Sequence, residues 1–379
     1  MDKTKYSKII SFALLFMLIA VMAAATIVEK LISRGFVLSK IYNSWWFVAL
    51  WAVFATSALI YIVQKKLYKK TAVFLVHTAF FVILCGAFTT FLTAKRGYMH
   101  LRQNEIHNYY IDETTQQRQP LPFNVKLLLF EIEYHPNSSK PADYHSFLMI
   151  DNEVCKVSMN KIHIQNCYRL YQMEYDNDEM GATLLVNYDF WGILITYSGY
   201  FLLLISALWL IFQKIGGKMS AIIGTITLGV WFFISQINPM MPILRSPMLA
   251  MHVSVIMVSY FLLLLITILS IIGLVYKTRR HIYLLTYRLL YPAVFLLAIG
   301  IFIGAVWANI SWGRYWGWDS KETWALITLL VYAIPFHKKT FPKIQEPKFF
   351  YKYLTIAFFS VLMTFLGVSF ILGGIHSYL

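Results

Sequence analysis

The chain has 379 residues, with 33 Lys plus Arg against 18 Asp plus Glu, a formal net charge of +15. Hydrophobic residues make up 59% and charged residues 13%, against about 45–50% and about 25% in a soluble domain. This excludes a soluble protein. The basic residues cluster in short loops beside apolar runs, so membrane topology explains the charge and nucleic acid is not a partner.

Taken in chain order, the apolar runs predict nine spans, at about 8–28, 45–63, 72–93, 190–212, 218–236, 249–275, 284–308, 321–336 and 351–374. Runs such as SFALLFMLIAVMAAATIV and YFLLLLITILSIIGLV can each cross a bilayer. The first lacks a small-residue cleavage site and reads as a retained span. The eighth is short and is expected to continue out of the loop before it. Between the third and fourth spans the composition changes. Thirteen of the 18 acids lie from Lys95 to Asp189, where there are nine Lys plus Arg. NVKLLLFEIEYH, YHSFLMIDNEVCKVSMN and CYRLYQMEY read as strands separated by the turn signals HPNSSKPAD and DNDEMG. The insert, about 95 residues long, can bury its own core and is expected to be a small sandwich or open barrel. The fold class is a polytopic α-helical membrane protein of about nine helices with one small external β-rich domain between spans three and four.

Orientation follows from the loops. Lys3, Lys5 and Lys8, then Lys65, Lys66, Lys69 and Lys70, then Lys214 and Lys218, then Lys277, Arg279 and Arg280, then Lys338, Lys339, Lys343 and Lys348 fall on one side. Lys30, Arg34 and Lys40, then Arg245, then Arg314 and Lys321 make a sparser set on the other. The richer side is cytoplasmic. The N-terminus is then inside, and the insert and C-terminus are external. Cys155 and Cys167 in the insert could pair in an oxidising compartment or stay free.

Ten histidines are present. His100, His107, His135, His145 and His163 read as surface or turn residues of the insert, and His281 as part of a basic inner loop. His77 lies inside span three, where an ionisable side chain is costly and marks a functional site. Ligand or proton-relay roles and a helix–helix hydrogen bond are both open for it. His337 ends span eight at the inner face; His252 opens span six and His376 follows span nine at the outer face. Each of these alone reads as an interfacial side chain. The topology sorts the four into an inner pair, His77 with His337, and an outer pair, His252 with His376. Two facing imidazoles are a usual way to hold a haem iron.

Between spans seven and eight, WANISWGRYWGWDSKETW holds Trp307, Trp312, Trp316, Trp318 and Trp324, five of the chain's 11 tryptophans. An interfacial belt needs fewer. Glycines at 313 and 317 loosen the backbone, and several indoles could form a floor for a planar apolar ligand. Arg314 could meet an anionic group such as a propionate. Asp319 and Glu322 are two of the five acids outside the insert.

Trp312-Gly313-Arg314-Tyr315-Trp316-Gly317-Trp318-Asp319, followed by Lys321-Glu322-Thr323-Trp324, resembles the tryptophan-rich "WWD" signature of the haem-handling cytochrome c assembly proteins. The tail through Gly374-Ile375-His376-Ser377-Tyr378 is similar to the end of the CcsA (ResC) branch. His77 in its span, GYMHLRQNE, LPFNVKLLLFEIEYHPNSSKPADY, YRLYQMEYD and DFWGILITYSGY resemble CcsB (ResB). The chain thus looks like a compact fused CcsB–CcsA protein, a System II cytochrome c synthase. The resemblance implies CcsB-like helices over 1–93, the external domain over 94–189, a CcsB-like helix over 190–214, and a CcsA-like domain over 215–379 with its loop at 307–324. It further implies haem b as the cofactor, with His77 and His337 as transmembrane metal ligands and His252 and His376 as external ones. Trp312, Arg314, Tyr315, Trp316, Trp318, Asp319 and Trp324 would bind haem. His252, His376 and Asp319 would stand at the reacting centre. The implied partners are haem, apocytochrome c carrying Cys-x-x-Cys-His, the lipid bilayer and thiol-reducing proteins; the implied location is the bacterial cytoplasmic membrane. Two departures stand out: Ser320 follows the aspartate where relatives often have proline, and the chain is shorter than typical fused members. A haem exporter without ligase activity, a bis-histidine electron-transfer protein and a structural assembly subunit are the rival readings.

Overall fold

The structure, a computed structural model, describes residues 3–237, 246–276 and 280–372. His376 and Arg245 lie outside the described residues. Among the described residues, seven helices are long and apolar enough to cross a membrane. The chain is therefore a multi-pass membrane protein.

Helix α1 (Lys3–Leu31) leads through a short helix α2 (Arg34–Val37) and a π-helical turn (Leu38–Tyr42) into α3 (Trp45–Gln64), and α4 (Thr71–Thr93) follows. After the strands come α5 (Phe190–Ser235), α6 (Pro247–Val275), α7 (Arg280–Trp312) and α8 (Ser320–Ala333). Last is α9 (Pro347–Leu362), prolonged by a π-helical stretch, Met363–Leu372. The two spans expected at 190–212 and 218–236 are the arms of α5. This 46-residue element is interrupted at Gly216, whose φ of 79° and ψ of 164° are not helical. At 1.5 Å per residue it measures about 69 Å, more than two hydrocarbon thicknesses. The segment expected at 321–336 is less than a full crossing: α8 has 14 residues and a 3₁₀ turn, Ile334–His337, extends it.

Helix α7 is the centre of the bundle. Every residue from Pro292 to Phe302 is buried, as expected for a helix that is apolar all round. It packs against α5, α6 and α8. A separate cluster joins Leu18, Met22 and Ala25 of α1 to Tyr42, Phe47 and Ile327.

The polar insert forms eight antiparallel strands: β1 (Lys95–Arg102), β2 (Ile106–Asp112), β3 (Arg118–Tyr134), β4 (Pro141–Ile150), β5 (Glu153–Ser158), β6 (His163–Gln165), β7 (Tyr168–Tyr175) and β8 (Gly181–Tyr188). They make one sheet in the order β5-β4-β3-β2-β1-β8-β7-β6. The sheet curls until its ends meet. Ser146 of β4 donates to Gln172 of β7 at 2.6 Å, and Phe130 of β3 stacks on Tyr175 of β7 at 5.2 Å. Inside lie Met99, Leu101, Val125, Leu127, Leu148, Leu170, Leu184 and Val186. Of the two shapes expected, this is the open barrel. The run YHSFLMIDNEVCKVSMN is a hairpin, turning at Asp151 and Asn152 with φ of 47° and 87°, the geometry that Asp and Asn tolerate. Cys85, Cys155 and Cys167 are free thiols. Burial pushes the Cys155 thiol up to about 11.

Candidate functional site

His77 of α4 and His337 of the 3₁₀ turn after α8 come together, 260 residues apart in sequence. Their ring centroids are 6.2 Å apart and their planes cross at 88°. His77 Nδ1 bonds the Val73 carbonyl at 2.8 Å, and His337 Nδ1 the Ala333 carbonyl at 3.1 Å. A carbonyl only accepts, so each Nδ1 carries the hydrogen and each Nε2 the lone pair. Metal–imidazole bonds are about 2 Å long, so two imidazoles sharing one ion stand roughly 6 Å apart between centroids. The pair fits that separation. Among the described residues no group of three or more His, Cys, Asp or Glu could hold an ion. Two axial imidazoles, with a macrocycle supplying the other ligands, are the arrangement this donor set suits. Phe12 of α1 meets His337 edge-on at 5.4 Å.

The second centre is at the end of the bundle that carries the β-domain. His252 lies in the second turn of α6, and its Nδ1 bonds the Gly300 carbonyl of α7 at 2.7 Å. One helical turn on, a Cβ at Gly304 would stand 2.6 Å from the His252 ring. Glycine is what lets this imidazole lie against α7. Its expected partner His376 is outside the described residues.

The tryptophan loop joins α7 to α8. Its five indoles do not form one floor. Trp307 and Trp312 pair edge-to-face at 4.9 Å, and Trp316 and Trp318 do so at 5.7 Å and 84°. Trp318 stacks on Tyr42, 4.7 Å and 7°. Trp324 Nε1 donates to Thr26 Oγ1 of α1 at 3.2 Å. Trp318 and Trp324 thus lock the loop to α1–α3, while the indole N–H groups of Trp307 and Trp316 are buried without a hydrogen-bond partner.

The charges that looked available in the sequence are mostly structural. Asp319 caps α8: its carboxylate accepts from Glu322 N at 2.7 Å, while Glu322 accepts from the backbone N–H of Asp319 at 3.4 Å and of Gly317 at 2.8 Å. This capping box satisfies the exposed amides of the helix start and makes Asp319 a positioning residue of the loop. Glu29 of α1 accepts from Ser320 Oγ at 3.2 Å and pairs with Arg34 at 3.3 Å; Arg34 in turn donates to the Gly317 carbonyl at 2.9 Å. Three of the five acids outside the insert therefore converge on this loop.

The β-domain holds the other half of the loop. Gly313, at φ 70°, lies against Leu185 and Tyr171. Its carbonyl accepts from Asn187 Nδ2 at 2.5 Å and from Arg96 Nη2 at 3.2 Å. Arg169 donates to Asn309 Oδ1 at 2.5 Å, and Ser311 to Asn160 at 3.0 Å. Tyr315 and Thr90 share a 2.5 Å hydrogen bond, and Thr90 donates to Asp189 at 2.8 Å. Burial raises the Asp189 carboxyl above the usual carboxylate range. It also holds the Arg96 guanidinium below its ordinary value, with the charge of Arg314 acting in the same sense. Sequence reasoning missed Arg34, Tyr42, Arg96, Arg169 and Asn187. The only signal was the position of Glu29 and Arg96, charges placed at the ends of apolar runs.

Comparison with known proteins divides the chain at the start of α5. Residues 62–190 match the ResB-like family, and residues 189–376 match the Cytochrome C assembly protein family. The cytochrome c biogenesis protein CcsA of Guillardia theta is 33% identical over 219 residues, covering 50% of this chain and 72% of that protein. CcsA of Chlamydomonas reinhardtii is 38% identical over 157 residues, 38% of this chain and 44% of that protein. Protein NrfI of Wolinella succinogenes is 38% identical over 171 residues, 40% of this chain and 19% of that protein. A polytopic bundle that brings His77 and His337 together and carries a tryptophan loop is thus joined to a β-domain lying within the ResB-like match. The chain belongs to the CcsA family of cytochrome c assembly proteins, in the form of a fused CcsB–CcsA protein.

Proposed function

We propose that this chain acts in cytochrome c biogenesis by carrying haem across a membrane and attaching it to apocytochrome c. The observation that carries the reading is the 6.2 Å edge-to-face approach of the His77 and His337 rings within an apolar bundle. These two residues receive haem on the cytoplasmic side. His252 and His376 hold it on the outer side, beside the tryptophan loop, with the N-terminus inside and the β-domain outside. The division at 93, 189 and 214 follows the same scheme.

Haem is the cargo and a Cys-x-x-Cys-His segment the acceptor. In the addition, each cysteine sulfur bonds to the inner carbon of a vinyl group and its proton goes to the outer carbon. No group leaves and no electrons are gained or lost. The chain supplies no nucleophile, because the acceptor's thiols are the nucleophiles. Its contribution is orientation and exclusion of water. His252, fixed by the Gly300 carbonyl, presents a defined nitrogen; Trp307 and Trp312 provide apolar surface; Asp319, Glu322, Arg34 and Asn187 hold the loop in shape. The thiols must be reduced, which implies a thiol-reducing partner.

Expression with a Cys-x-x-Cys-His reporter, in a host lacking its own assembly system, tests the reading. The expected result is haem that stays on the reporter after denaturation. Good expression with bound haem and no covalent adduct would reject ligation and leave haem export.

A further inference from the structure

Two arginines meet at the first half of the tryptophan loop. Arg96 begins the β-domain, and its Nη2 donates to the Gly313 carbonyl at 3.2 Å while its Nε is buried without a hydrogen-bond partner. Arg314 is the next residue of the loop, and its guanidinium lies over Gly317, where any Cβ would press on it. Each guanidinium lies in the other's field, and Arg96 also feels the carboxylates of Glu113 and Asp189. Among the described residues neither forms an ion pair. With no direct ion pair at either side chain, the two cations keep hydrogen-bonding capacity for an anion, and guanidinium groups match carboxylates in shape and hydrogen-bonding.

The site continues to the second histidine centre. His252 lies against Gly304, Trp307 follows one turn along α7, Trp307 pairs with Trp312, and Gly313 and Arg314 come next. Gly304 to Trp312 is about 12 Å along the helix, the scale of a macrocycle with acid side arms.

We propose that Arg96 of the β-domain and Arg314 of the loop together bind the propionate carboxylates of haem held at His252. This rests on the haem reading above and gives the β-domain a direct part in it: it brings one of the two cations.

The test compares haem with its dimethyl ester, which keeps the ring and iron but lacks the charges. Both are titrated into the full-length protein in detergent and followed by visible absorption, in a His77→Ala/His337→Ala background that removes the inner pair. The acid should bind at least about tenfold more tightly than the ester, as one charge-assisted hydrogen bond allows. Arg96→Gln and Arg314→Gln should each reduce that ratio by about tenfold, and Arg96→Lys should keep most of it. Asn187→Ala loosens Gly313 without removing a charge, so it should weaken both ligands equally and leave the ratio intact. A ratio near one in the parent protein, or a ratio unmoved by both glutamine variants, overturns the proposal while leaving haem binding at His252 in place. Absence of any His252-dependent binding of either ligand overturns the haem reading and the arginine site together.

Discussion

The two histidine centres are built in opposite ways. The inner pair is nearly self-sufficient. His77 orients through the carbonyl four residues back in α4, and His337 through that of Ala333, the last residue of α8 before its 3₁₀ turn, so two packed helical segments suffice. The outer centre depends on other elements. His252 is oriented by a carbonyl of α7, and the tryptophan loop is held on one side by α1–α3 and on the other by β1, β7 and β8. The His77–His337 pair is set by local geometry, and the position of His252 and the tryptophan loop by tertiary contacts.

The largest effect should come from the inner pair itself. His77→Ala or His337→Ala should weaken haem binding there by more than ~100-fold, the upper end of what loss of a supporting group costs. Imidazole added to the purified variant should restore the spectrum. Unaltered haem spectra in both variants would remove the pair as ligands.

A smaller effect should separate the centres. Gly304→Ala puts a methyl group where the His252 ring lies, and overpacking of this kind costs about 1–3 kcal/mol. Haem titrations should show the outer site weakened by about tenfold, with the inner pair unchanged. Equal weakening of both would show that the centres are not independently built.

The smallest effect concerns the β-domain away from the loop. Hydrogen bonds from Arg102 and His100 hold the Asp176 carboxyl below the usual range. In the window between the folded and unfolded values, the unfolded chain binds more protons, so stability rises with pH. The contribution is present above the unfolded carboxylate value and is lost as pH falls through the folded one. Protection factors of the β7–β8 amides, corrected for the intrinsic exchange rate at each pH, should fall on acidification, and Asp176→Asn should reduce that dependence.

Much of the fold was legible in the sequence because the bilayer imposes length and apolarity on each span, and because polar composition with turn residues marks the insert. The α5 break was visible as Lys214 to Lys218 around a glycine pair. The shortness of α8 was legible too; that it begins at Ser320 and does not continue out of the loop before it was decided by the Asp319–Glu322 box and not by hydropathy. In the site, the depth of His77 and His337 could be counted along spans, while their meeting was decided by tertiary packing. The tryptophan floor was misjudged because a run of indoles does not reveal which ring stacks on a distant Tyr42 or bonds a distant Thr26.

The sequence by itself determined a multi-pass protein with a polar β-domain, a histidine inside an apolar span, and a tryptophan-rich loop. Hydrophobic length, turn chemistry and the rarity of buried imidazole are local properties that a linear text records. Tertiary structure alone decided that the barrel presses Arg96 and Asn187 onto Gly313, that Glu29 and Arg34 secure the loop from the opposite side, and that Asp319 is a helix cap. Those are contacts between residues tens to hundreds of positions apart, and only the packing of the elements brings them within hydrogen-bond reach.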